Sequence, residues 1–346
     1  MLGSKEDRRQ KLSLCRGEVI DVRTEQEILS TLDENGELEG LPFMPEMLQF
    51  CGKRFRVYRR ADKTCDTISN AGLRRMKNCV HLEDLRCGGE DHGGCQARCL
   101  LFWKEAWLKR PSESSTNIKA GLSDSRENVT RCTISKLMEK TRKTTPEEAS
   151  EDVRYSCQAT ELSRASTPLS PRELGPYVRD LWSRNVSISE FLRAMLFAAF
   201  RKLIRIGGYR IAVWIYDRVH QLTGGSPYPY RQGTLKTTPT ATLNLQPGEL
   251  VHVKSQEEIL KTVDTRNRNR GLFFDVEMVR FCGGKYRVLQ RVEKIINERT
   301  GKMIRFPTPP VMLEGVTCRS EVGEGKLFCP RSIYSYWREI WLERVK

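Results

Sequence analysis

At 346 residues the chain is long enough for two or three domains with cores of their own, and its make-up is that of a soluble protein: 38% hydrophobic, 30% charged, mean hydropathy −0.53. No run of about 18 uncharged apolar residues occurs, and the opening MLGSKEDRRQKLSLC has charges but no apolar stretch, so neither a membrane span nor an export signal is expected and the cytoplasm is the default location. The net charge of +15 is uneven: residues 16–110 and 111–171 balance, while 172–245 carry +7 and 246–346 carry +6, which argues against a uniform nucleic-acid coat and leaves room for a one-ended anionic contact.

Residues 17–63 recur at 248–294 without a gap, at a constant offset of 231 and with 20 of 47 positions identical. This reads as an internal repeat of a module of about 95–100 residues, a usual size for a small domain. In each copy GEVIDV or GELVHV alternates as a first strand. Thr24 with Glu27, and Ser255 with Glu258, form a capping box opening a short helix. PEMLQF or VEMVRF is a second short helix, ended at Cys51-Gly52 or Cys282-Gly283. KRFRVYRR or GKYRVLQRV is a strong strand, KIINERTGKMIRF a hairpin turning at Thr300-Gly301, and VHLEDL or VMLEGV a further strand. The expected fold is α+β: two duplicated small barrel-like modules, similar in pattern to SH3-like or KOW-type barrels.

The domain reading follows. Residues 16–110 form module 1 with a four-cysteine site, and 111–171, rich in Ser, Thr, Glu and Lys, read as a mostly disordered linker whose Tyr155–Leu162 part can dock on a neighbour. Residues 172–225 form a basic helical segment and 226–245 an extended connector. Residues 246–346 form module 2, with a degenerate version of the cysteine site. In the helical segment Ser187 with Glu190 starts a helix, and Ile188, Leu192, Met195, Ala199, Leu203 and Ile206 share one face of it.

Cys79, Cys87, Cys95 and Cys99 offer four thiolates within 21 residues, and twelve cysteines in a reducing compartment are more consistent with metal ligation than with disulfides. Structural zinc is the first expectation, with an iron–sulfur cluster as the alternative; Gly88, Gly89, Gly93 and Gly94 let the chain wrap an ion, and a helix opening at the last cysteine pair would favour the negative charge. His92, Cys318 and Cys329 are further ligand candidates. In copy two only Cys318 and Cys329 remain, which points to a structural rather than catalytic role. Trp103 and Trp107, like Trp337 and Trp341, are spaced i, i+4 and read as one helical face packed on the core. Lys285, Arg287 and Arg291 on a strand, and Arg201, Lys202 and Arg205 on a helix, are the candidate anion-binding residues, for nucleic acid or an anionic membrane surface. No catalytic residues are singled out, since no phosphate loop, dinucleotide fingerprint, zincin motif or nucleophile elbow is present.

Through CGGEDHGGCQARCLLFWKEAWL and GGKYRVLQRV the chain resembles a family of bacterial proteins of no established activity, some of them associated with polysaccharide-assembly gene groups. The resemblance implies a cytoplasmic accessory, peripheral to the membrane, of an envelope polysaccharide machine. The expected function is a non-enzymatic, metal-stabilised binding or scaffold protein with a protein partner. The rivals are nucleic-acid binding through the basic second half, and an enzyme or redox protein using the cysteine cluster.

Overall fold

Val19–Val22 is a strand rich in β-branched residues whose burial alternates, with Ile20 and Val22 fully buried and Val19 and Asp21 only partly so. It lies between Arg54–Arg60 and Leu108–Lys109 in a five-stranded antiparallel sheet. The order across that sheet is Leu100–Lys104, Cys79–Arg86, Arg54–Arg60, Val19–Val22, Leu108–Lys109. The computed structural model describes residues 12–69, 71–111, 132–142, 153–170, 172–206, 209–222 and 225–345, without the side chains of 203, 205 and 206. The protein is mixed α+β, with several antiparallel sheets and few helices. The described chain divides into two compact units. The first runs to Val186 and includes Ile296–Met303 and Cys329–Arg331; the second holds the remainder.

In the first unit, a bulge between Val57 and Arg59 bends the central strand, and Gly17 donates to the Val57 carbonyl at 2.8 Å. Thr24 caps the helix Glu25–Leu29 as expected: its amide donates to Glu27 Oε2 at 2.8 Å, and the Glu27 amide returns a bond to Thr24 Oγ1. Glu105 organises the rim. Its carboxylate accepts the amides of Leu12, Ser13 and Leu14 at 2.8–3.1 Å and the guanidinium of Arg60. Trp103 and Trp107 are fully buried, edge-on to Phe43, and Trp107 Nε1 donates to Thr31 Oγ1.

The second unit has a four-stranded antiparallel sheet in the order Val311–Leu313, Lys285–Arg291, Leu250–Val253, Leu342–Arg344. Its bulge falls between Val288 and Gln290, 231 residues after the first. Ser255 caps Gln256–Leu260 in the same box, Glu339 accepts the amides of Leu243, Asn244 and Leu245 and the guanidinium of Arg291, and Trp341 Nε1 donates to Thr262 Oγ1. Asn297 and Thr300 make the turn expected at Gly301, which has φ +74°.

Three local expectations are corrected. The run LLFWK is a strand, paired with Cys79–Arg86 and buried throughout, and Glu105–Trp107 is a 3-10 turn; a short continuous apolar run has no period by which helix and strand can be told apart. The PEMLQF and VEMVRF segments are helical but of the 3-10 kind. Of the stretch read as linker, Cys132, Leu137, Cys157, Ala159, Leu162 and Ala165 belong to the core of the first unit, and residues 112–131, 143–152 and 171 lie outside the described residues. Their polar flanks hide these apolar anchors from a composition count.

Candidate metal centre

Beyond Cys79–Arg86 the chain enters a tight turn. Gly89, Gly93 and Gly94 take left-handed conformations (φ +81°, +76° and +70°), and Glu90–His92 forms a single 3-10 turn between them. The amide of Gly94 donates back to the Gly89 carbonyl at 2.8 Å, and Cys87 donates to the carbonyl of Cys99 at 2.8 Å. This doubling-back brings His92 Nε2 to 3.2 Å from Cys87 Sγ. The third group comes from the 3-10 segment Pro45–Phe50: Glu46 Oε2 lies 3.9 Å from His92 Nδ1. Ligand atoms of Glu46, Cys87 and His92 all fall within 4.8 Å of one another, so the three can hold a metal ion.

Cys95, Cys99 and Cys157 line the same cavity, whose volume of about 30 Å³ is enough for a single ion or water. Cys157 is positioned by its neighbour. Gln158 acts as a pseudo-strand against Leu100–Lys104: its Oε1 accepts the amide of Phe102 at 2.7 Å, and its Nε2 donates to the Phe102 and Pro42 carbonyls. The expected docking of Tyr155–Leu162 thus supplies a wall of the site.

The ionised forms of the cysteine, glutamate and histidine side chains are disfavoured here. Burial pushes the Cys87 thiol well up, with Glu46, Cys99 and Cys157 adding to it, and raises Cys95, Cys99 (to about 11) and Cys157 (to about 12). Burial also raises Glu46 and lowers His92 to about 4. Both carboxylate oxygens of Glu46 and the Nδ1 of His92 are buried without a hydrogen-bond partner among the described residues. The second unit has a telling counterpart. Glu277, 231 positions after Glu46, gives its Oε1 to the amides of Val322 and Gly323 at 2.8 and 2.7 Å, and its neighbour Cys318 lies beside Ser320 Oγ at 3.2 Å. Glu277 Oε1 takes two loop amides, while its Oε2, like both oxygens of Glu46, is buried without a close partner among the described residues. At Glu46 a cation would take the place of those amides and turn the thiols into thiolates.

The remaining candidates are dispersed. Cys79 is fully buried at the start of its strand, opposite Lys104, and is no part of the cluster. The four-cysteine set is therefore corrected: Cys79, buried like Val80, His81 and Leu82 after it, packs in the hydrophobic core of the first unit. No helix begins at Cys95–Cys99, so no helix end lends charge to the site. Cys329 belongs to the first unit but sits elsewhere, its Sγ accepting the Cys65 amide at 3.1 Å; against burial, hydrogen bonds from Cys65 and Arg331 bring its thiol down to about 6. Cys318 lies in the second unit, its thiol raised to about 12 by burial.

Several of the basic candidates have partners within the protein. Arg291 pairs with Glu339 at 3.0 Å, Arg201 pairs with Glu324 and stacks on Tyr230, and Arg287 donates to the Gly248 carbonyl. Lys285 and Lys202 are exposed, and the side chain of Arg205 lies outside the described residues. Glu46 is the member of the cluster that sequence reasoning left out, and Cys157, considered from sequence only as an outside ligand for the second copy, lines the cavity of the first. The signal for Glu46 was a carboxylate kept at the same place in both copies of the PEMLQF/VEMVRF segment. Among the described residues no helix is long and apolar enough to cross a membrane. Comparison with protein-family models, with curated proteins and with solved structures finds no match.

Proposed function

We propose that the chain is a non-enzymatic binding protein built from two copies of one SH3/KOW-like module, the first stabilised by a structural zinc ion on Glu46, Cys87, His92 and one thiolate from Cys95, Cys99 or Cys157. The observation that carries the reading is the contrast between Glu46 and Glu277. One oxygen of Glu277 accepts two amides from a neighbouring loop, whereas neither oxygen of Glu46 takes an amide from such a loop, and its carboxylate faces a thiol and an imidazole instead. Two nitrogen or sulfur donors with a carboxylate and a further thiol suit zinc, and a closed, solvent-poor site suits a structural role. The matching bulges and capping boxes 231 residues apart, and the glutamate clamps Glu105 and Glu339, 234 apart, support the duplication.

A second reading has one observation in its favour. Cys87, His92 and Glu46 are ordered as nucleophile, base and orienting carboxylate, at 3.2 and 3.9 Å. A cavity of about 30 Å³ admits an ion but no substrate, which favours the metal.

Metal analysis and thiol alkylation separate the two. Protein purified without chelator is expected to hold about one zinc per chain, and Cys87 should react with iodoacetamide only after chelation. Metal-free native protein in which Cys87 alkylates at once would refute the structural site and support the nucleophile.

A further inference from the structure

Two helices of the second unit, Ile188–Ile206 and Tyr209–Leu222, meet through Phe197, Phe200, Ile204, Val213 and Tyr216, which close around Tyr228. The opposite faces carry the surprise. On the first helix Ile188, Leu192, Met195 and Leu196 follow at i, i+4, i+7 and i+8 and form one stripe, yet all are exposed, Ile188 to 72%. On the second, Ile211, Trp214, Ile215 and Leu222 do the same, with Trp214 at 60% and Leu222 at 87%. The face that periodicity assigns to a core is the one turned outward. Scattered exposed apolar residues are ordinary, but two stripes of four on consecutive helices mark a contact surface.

Charge identifies the occupant. The exposed charged side chains described on these helices are Arg193, Lys202, Arg210 and Arg218, all basic. The acidic residues are half-buried and engaged: Glu190 caps its helix with Ser187, and Asp217 pairs with Arg231. The Arg218 guanidinium lies over the Trp214 ring, 5.6 Å from its centroid, in the middle of the apolar stripe. An indole with a cation on a long apolar stem suits the boundary between acyl chains and headgroups. Neither helix is long and apolar enough to cross a bilayer.

We propose that the 188–206 and 209–222 helices bind the surface of an anionic lipid bilayer, with their outward apolar stripes in the acyl boundary and Lys202, Arg210 and Arg218 on headgroup phosphates. The test is flotation of the full chain with phosphatidylcholine vesicles, with and without phosphatidylglycerol. The expected result is binding only when phosphatidylglycerol is present, weakening as salt is raised. Trp214→Glu and Leu192→Glu should each lower the partition coefficient about tenfold or more, and Arg218→Glu should lower it for anionic vesicles. Because these side chains are exposed, the variants should keep the wild-type melting temperature. Three results would overturn the proposal: no flotation with phosphatidylglycerol at low salt, equal flotation of wild type and variants, or a stable dimer in sedimentation that Trp214→Glu dissociates, which would make a second copy the cover.

Discussion

Gly89 and Cys95 pack backbone to backbone, so closely that a Cβ on Gly89 would fall on the Cys95 carbonyl oxygen. That contact closes the turn which returns His92 to Cys87. Gly88, one residue earlier, has open space in the same position. Gly89→Ala, also strained by a φ of +81°, is therefore expected to open the turn, while Gly88→Ala leaves it intact. Zinc content and melting temperature check this: loss in the first variant only is the expected outcome, and equal behaviour of the two would count against the turn as the frame of the site.

Glu46 and Glu277 should respond differently to the same change. Glu46→Gln removes a ligand and is expected to weaken zinc binding by roughly tenfold or more, measured by competition with a chromogenic chelator. Glu277→Gln touches no metal ligand; it weakens acceptance of two amides at a buried position and should cost about 1–3 kcal/mol in denaturant unfolding, with zinc content unchanged. Cys79→Ser, away from the cluster, should also keep its zinc.

Glu105 ties three backbone amides and the buried guanidinium of Arg60 together. Removing its charge leaves Arg60 in the interior with only Asp62 as carboxylate partner, so Glu105→Gln should destabilise the first unit by about 3 kcal/mol. Arg291 is partly exposed beside Glu339, and water can take over from the lost carboxylate there, so Glu339→Gln should cost less. Urea unfolding of the two variants gives the comparison, and the reverse ranking would contradict it.

His81 is fully buried, its Nδ1 on the Leu101 carbonyl at 2.9 Å, and burial lowers its pKa from 6.5 to about 3. With the folded value depressed, the unfolded chain binds the proton first as pH falls. Stability from this group is full above pH 6.5 and drains away between 6.5 and about 3. His81→Leu should reduce the slope of stability against pH in that window by up to about one proton, whatever its effect at neutral pH. Chemical denaturation at several pH values measures it, and an unchanged slope would show that His81 takes no part in acid unfolding.

Much of the local structure was legible because it rests on short-range physics. Capping boxes at Thr24 and Ser255, the first strands and the turn at Gly301 are written within a few residues each, and the 231-residue offset exposes the repeat without any structure. Cys87, His92 and the glycines around them also lie within one turn, so a candidate metal loop was suggested by the cysteine spacing. Three matters depended on contacts between distant residues. Glu46 joins Cys87 from 41 positions away, and Cys157 from 70 on the other side, so only packing could show that they, and not Cys79, face the cavity. Cys79 is excluded by its packing in the hydrophobic core, which spacing among cysteines does not encode. The helix Ile188–Ile206 has apolar residues on two faces, and periodicity cannot say which one the protein covers. The aromatic side is the covered one: the rings of Phe197 and Phe200 lie 5.4–6.5 Å from those of Tyr216 and Tyr228, and the aliphatic stripe is left exposed.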